Sequence, residues 1–163
     1  MALRVFITVV LLLVWSPVAN ARDVGVSGLP LPRFVSLAAG EVNLRTGPGF
    51  RFPIAWVFVR RAMPVEVVGE FDDWRRVRDH DGADGWVHKA MLSGERTILV
   101  TGGERALHRE PRDSSPLIAR AEAGVQGRLR TCRADWCEVM LADLRGWMPR
   151  GHLWGVYGTE AVD

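Results

Sequence analysis

Two cysteines, four histidines and nineteen carboxylates are the groups from which any chemistry in this chain would have to be built. Cys132 and Cys137 flank Arg133-Ala134-Asp135-Trp136. That spacing suits a hairpin that sets the two cysteines opposite one another. Opposed residues of an antiparallel pair lie ~4.5–5.5 Å apart at Cα, a span that a disulfide closes. The alternatives are a redox pair, which is usually spaced C-x-x-C, and a zinc site, which needs about two more ligands than the sequence places. A structural disulfide is the expectation, and it would leave no thiol nucleophile. Ser114-Ser115 has no glycine elbow around it. Asp72, Asp73, Asp79, Asp81 and Asp84 gather near His80 and His88. Turns collect Asp for their own geometry, and the spacing matches no calcium loop. The chain is therefore read as non-enzymatic, with no metal and no cofactor.

Aromatic and arginine residues are the better candidates. Trp86 and Trp147 each follow a glycine and open a short strand, which favours core packing. Trp74 differs. Alternation from Trp74 to Val77 puts Trp74 opposite the apolar Val77, on the side of Arg76 and Arg78. A Trp among arginines can hold an extended acidic peptide by stacking and carboxylate pairing. The competing reading is that Trp74 closes one end of a small β-domain. Phe50 and Phe52 stand in a loop with Arg45 and Arg51. The candidate ligand-binding set is Arg45, Phe50, Phe52, Trp74 and Arg76.

Short strands must position these residues. Phe34 to Leu37, Val42 to Leu44, Ile54 to Val59, Val65 to Phe71, Trp74 to Asp79 and Trp86 to His88 read as strands separated by Gly, Pro and Asp turns. Ile54 to Val59 is an apolar run expected to be buried. Five or six short strands in about sixty residues without a helical period indicate a small barrel or sandwich.

The grammar then repeats. At a shift of 63, Leu44 falls on Leu107, Pro48 on Pro111 and Pro53 on Pro116. At 62, Asp73 falls on Asp135, Trp74 on Trp136 and Val77 on Val139; at 61, Gly85 falls on Gly146 and Trp86 on Trp147. The expected units are residues 34–94 and 95–157, after a linker at 22–33 that Gly25, Gly28, Pro30 and Pro32 keep irregular, and before a frayed tail at 158–163. Each unit is near the size where a lone core is marginal, so a disulfide in the second would staple it. The first copy has Glu70 and Arg75 at those two positions, where an exposed ion pair of small worth is expected.

Residues 1–21 read as a cleaved signal peptide: Arg4, then an apolar run from Val5 to Trp15, a break at Ser16-Pro17, and Ala19-Asn20-Ala21 for cleavage after Ala21. An eleven-residue run falls short of the ~20 that span a bilayer, so no stable membrane insertion is expected. The mature protein would be periplasmic or secreted, an oxidising setting that favours the disulfide. The net charge of +2 is too small to argue for nucleic acid.

Val42 to Gly49, Pro64-Val65-Glu66-Val67, Asp73 to Val77 and Gly85-Trp86-Val87 resemble bacterial SH3 domains. With Gly28 to Leu37 ahead of them, the whole resembles an exported branch of that family with tandem units and no known function. The resemblance implies an all-β fold of two tandem SH3-like barrels. It implies binding rather than catalysis, with cell-wall peptide or an envelope protein as partner. Ala106-Leu107-His108-Arg109-Glu110-Pro111 departs from the opening motif, so the second copy is degenerate. The reading is an exported module holding cell-wall peptide, or an extended envelope peptide, in a first-barrel groove. The alternatives are a periplasmic protein–protein adaptor without wall affinity and a small envelope hydrolase with an unrecognised site.

Overall fold

A computed structural model describes residues 23–163. The signal-peptide reading and its cleavage position lie outside the described residues. β1 (Asp23–Val24) and β2 (Pro30–Leu31) form a small ladder. The first barrel follows with β3 (Arg33–Leu37), β4 (Val42–Arg45), β5 (Ile54–Phe58), β6 (Pro64–Phe71), β7 (Trp74–Arg78), β8 (Asp84–His88), a 3₁₀ turn at Lys89–Met91 and β9 (Leu92–Ser93). The second has β10 (Thr97–Val100), β11 (Arg105–His108), β12 (Leu117–Ala121), β13 (Gln126–Arg133), β14 (Trp136–Leu141), β15 (Leu144–Pro149), a 3₁₀ turn at Arg150–His152 and β16 (Leu153–Trp154).

Both barrels are seven-stranded sheets of one topology, in the orders β5-β4-β8-β7-β6-β3-β9 and β12-β11-β15-β14-β13-β10-β16. The repeat extends to irregularities. Register shifts fall at Leu44/Arg45 and Leu107/His108, and again at Val67/Gly69 and Leu129/Thr131. Asp72 and Ala134, at equivalent hairpin turns, both take positive φ, 49° and 46°. Each barrel has its own core. Leu37, Val42, Leu44, Phe58, Val65, Val67, Val77 and Val87 fill the first; Ile98, Leu107, Val139, Leu141 and Met148 are central to the second.

The glycine of each closing motif exists because strands approach closely there. A Cβ on Gly85 would lie 2.7 Å from the Arg45 carbonyl oxygen, and one on Gly146 2.7 Å from that of His108. The next residue, Trp86 or Trp147, then points away from the core, and Val87 or Met148 takes the inward position. Trp147 is buried, as expected from sequence, though outside the central cluster, whereas Trp86 is only half-buried and lies outside the first core, contrary to expectation.

Four other expectations change. The linker is not irregular throughout, since Asp23–Val24 and Pro30–Leu31 pair as strands. Its β1–β2 ladder docks on the barrel, where the Ser27 amide and Oγ donate to the Glu70 carboxylate at 2.8 Å each. The tail is tied down, because the Cys132 amide donates to the Val162 carbonyl at 2.9 Å and Arg96 pairs with Glu160 at 2.5 Å. The Glu70–Arg75 pair forms, at 3.1 Å, but it is buried rather than exposed. β5 has only Phe58 buried, since it ends the sheet and pairs with β4 alone. The Cys132–Cys137 disulfide is present across the β13–β14 hairpin, with a Cα separation of 4.1 Å.

The two barrels meet through aromatic and polar contacts. The Phe34 ring lies 5.0 Å from Trp154 and 4.6 Å from Tyr157. Trp154 Nε1 donates to the Pro64 carbonyl at 3.3 Å, and Tyr157 Oη donates to Glu66 Oε1 at 2.9 Å. Glu66 is buried and also takes Arg78 at 2.5 Å, so its charge is paired.

Candidate functional site

The face of the first barrel turned away from its core is set by alternation. β4 places Asn43 and Arg45 there while Val42 and Leu44 enter the core. The register brings Arg45 beside Trp86, Trp86 beside Arg76, and Trp74 beside His88. The loop from Thr46 to Pro53 folds back over this face. Arg45 Nη1 donates to the Phe50 and Phe52 carbonyls at 3.1 and 2.8 Å, and the Thr46 amide closes on the Pro53 carbonyl at 3.0 Å.

Phe50 and Phe52 are held for different ends. A Cβ on Gly47 would lie 2.5 Å from the Phe52 ring, so that ring packs on bare backbone and anchors the loop. Phe50 projects outward, 73% exposed. Its ring lies 5.0 Å from Trp74, edge-on, and 5.6 Å from His88, stacked. Trp74 and His88 are themselves 5.4 Å apart, edge to face. The Arg45 guanidinium sits 5.7 Å from the Phe50 centroid. With Glu41, Asn43 and Met91 these residues line a cleft of about 170 Å³. The Ala90 amide donates to His88 Nδ1 at 3.3 Å, which makes Nδ1 the acceptor and leaves Nε2 to carry the proton of the neutral ring.

Three of the five residues expected from sequence therefore meet: Arg45, Phe50 and Trp74. Phe52 supports the loop from beneath. Arg76 lines no part of the cleft and donates to Asp84 at 2.8 Å. Trp74 is only 7% exposed, so it forms a wall beneath Phe50 rather than a free platform. Glu41, Asn43, His88 and Met91 were missed. The alternation that marks Val42 and Leu44 as core puts Asn43 and Arg45 together on the other face, but no local pattern links β4 to His88.

The family description "Bacterial SH3 domain" matches residues 38–94 and again residues 102–155. The chain belongs to the bacterial SH3 domain family. Its two SH3 units share topology but not this cleft. In the second, Trp136 keeps a ring contact with His108 at 5.5 Å, yet Pro149 stands opposite Trp136 where His88 faces Trp74. Counting 63 residues on from Phe50 reaches Asp113, and Arg133 covers Trp147 at 5.7 Å. The aromatic roof belongs to the first SH3 unit alone.

Several other groups from which chemistry could be built are spent internally. Asp79 accepts from the Ala83 amide, Asp73 pairs with Lys89 at 2.6 Å, and the Ser115 hydroxyl accepts from the Glu110 amide. Among the described residues there is no free cysteine and no cluster of three metal-ligating side chains. Two larger hollows, of about 670 and 700 Å³, open where the Arg60–Ala62 loop meets the second barrel. Their walls mix charged, amide and aliphatic side chains with no aromatic ring, and Glu95 and Arg128 in one of them pair with each other at 2.9 Å. Of the three, the smaller cleft is the one lined by aromatic rings.

Among solved structures, NlpC2 and NlpC1 from Trichomonas vaginalis align with TM-scores of 0.34 and 0.35 at 16% and 15% identity. The alignments cover 76% and 83% of this chain but 48% and 50% of theirs, so the chain spans about half their length. No curated protein matches the chain. Among the described residues no helix is long and apolar enough to cross a membrane.

Proposed function

We propose that the chain is a non-catalytic binding module of the cell envelope. Its first SH3 unit holds an extended peptide in the Phe50–Trp74–His88 cleft, with cell-wall stem peptide or an extended segment of an envelope protein as the ligand. The observation that carries this reading is Phe50. A large apolar ring, 73% exposed, is held in place by Arg45 over two further rings. An ordered, solvent-facing aromatic is what a stacking ligand needs, since little side-chain entropy is lost on contact. Arg45 and Glu41 flank the rings and have no opposite-charge side chain paired with them among the described residues, which suits a peptide bearing both charges. Membership of the bacterial SH3 family supports a binding role. The second unit, whose roof is lost, acts as structural support.

The test is co-sedimentation with purified peptidoglycan sacculi at low and high salt. Salt-resistant pelleting that Phe50→Ala abolishes supports the cleft. Phe50 suits this better than Trp74, because an exposed ring can be removed without opening a cavity. Pelleting that high salt removes reports only attraction of a basic chain to an anionic polymer. A supernatant protein throughout sinks the wall ligand.

A further inference from the structure

β5 is an edge strand with no charge along its length. Among the described residues its second edge has no sheet partner, which leaves its outward N–H and C=O groups for another strand. Ile54, Trp56 and Val57 are 47, 59 and 38% exposed, and Val59 just beyond is 79% exposed. Exposure of both alternating faces from Ile54 to Val57 means that this part of β5 overhangs the barrel, and Phe58 alone reaches the core.

The second barrel supplies an internal control. There the register pairs Ala106 with Arg120, as Asn43 pairs with Val57. Arg120 therefore stands where Val57 stands, and it pairs with Glu104 at 3.0 Å. A charged, paired residue on an edge strand is how sheets resist further strands. The copy with Arg120 is guarded; the copy with Val57 is open.

We propose that β5 is a docking edge that takes an added strand from a partner protein. The added strand is extended and apolar, with carboxylates at its two ends. Arg51 precedes β5, and Arg60 and Arg61 follow it, all three exposed. None of the three has a carboxylate partner among the described residues; Arg51 lies over the Phe52 ring and Arg60 donates to the Gly124 carbonyl. Main-chain bonds would provide affinity, and the arginines would set the ends of the strand. A second copy of this chain fits poorly. Antiparallel self-pairing centred on Trp56 would set Arg51 against Arg61 twice, and like charges directly opposed destabilise a strand pair.

The test uses the full chain expressed with its native N-terminus and two fluorescent probes. One is a short strand of alternating valine and threonine with glutamate at both ends; the other carries lysine at both ends. Anisotropy should show the glutamate probe binding at least about tenfold more tightly than the lysine probe. Val57→Arg, which copies the guarded edge, should abolish binding with an unchanged circular dichroism spectrum. Equal binding of both probes, no binding of either, or binding that Val57→Arg leaves intact overturns the proposal. So does a dimer in sedimentation that Val57→Arg dissociates, because the edge would then belong to a second copy.

Discussion

Glu70 and Arg75 face each other at 3.1 Å across the β6–β7 hairpin, at the register position where Cys132 and Cys137 are bonded in the second barrel. One fold closes the same hairpin by charge in one copy and by a covalent bond in the other. Glu70 also accepts from Arg33 at 2.6 Å and from Ser27, so it ties the β1–β2 ladder to the barrel.

Burial pushes the Glu70 carboxyl up, but the Ser27 hydrogen bonds and the Arg33 bond and charge outweigh it. They hold the group at about 2, against an ordinary 4.5. A depressed carboxylate contributes its full stability above 4.5 and loses it as pH falls towards 2. Glu70→Gln should cost roughly 3 kcal/mol at neutral pH, because the buried Arg75 and the half-buried Arg33 guanidinium groups lose their counter-charge. Denaturant unfolding at stepped acid pH checks this. The variant should lack the wild type's loss of stability between 4.5 and 2, and parallel profiles would show that Glu70 is not the group responsible.

Replacing both Cys132 and Cys137 with serine should destabilise the chain by about 2 kcal/mol, the chain-entropy value for so short a loop. Tying of the tail at Val162 to the Cys132 amide should weaken with it. Hydrogen exchange at residues 158–163 reads that loosening, and unaltered protection there would show that the tail holds without the bridge.

Tyr157 is the one tyrosine in the chain, so phenolate absorbance reports it alone. Burial, then the hydrogen bond to Glu66, raises its ionisation far above the ordinary 10. The folded protein should show no phenolate step near 10, and it should lose stability above that pH as the unfolded chain ionises. A step at 10 in the folded state would mean that the Tyr157–Glu66 contact between the barrels does not form in solution. Tyr157→Phe keeps the ring against Phe34 but removes a donor from buried Glu66, at a cost of about 1–2 kcal/mol.

Gly85→Ala and Gly146→Ala should each destabilise by about 2 kcal/mol or more, because the new Cβ meets a neighbouring strand's carbonyl at 2.7 Å. Thermal melts of the two variants read this. A neutral outcome at either site would show that the strands can spread without loss.

Much of this was legible in the chain before it folded. Alternation of apolar residues in Val42 to Leu44 and Val65 to Val67 dictates strands, because side chains on a strand point to opposite faces in turn. The paired motifs at Pro48 and Pro111, Trp74 and Trp136, and Gly85 and Gly146 dictate two copies of one barrel. The cysteine spacing made a hairpin bridge the expectation, and the paired strands closed it. Tertiary structure alone decided which of these residues meet. Ile54 to Val59 looks like core in composition, yet strand order puts it at an edge, and burial follows from neighbours rather than from hydrophobicity. Trp74 and Phe50 were both singled out, but a loop that Arg45 pins makes the ring of one the wall and the ring of the other the roof. His88 joined them only because β7 and β8 pair in a register that sets it beside Trp74. Glu70 and Arg75 could be matched to the cysteines by counting. Their burial depended on Ser27 and Arg33, more than thirty residues away in sequence, which a local pattern cannot bring together.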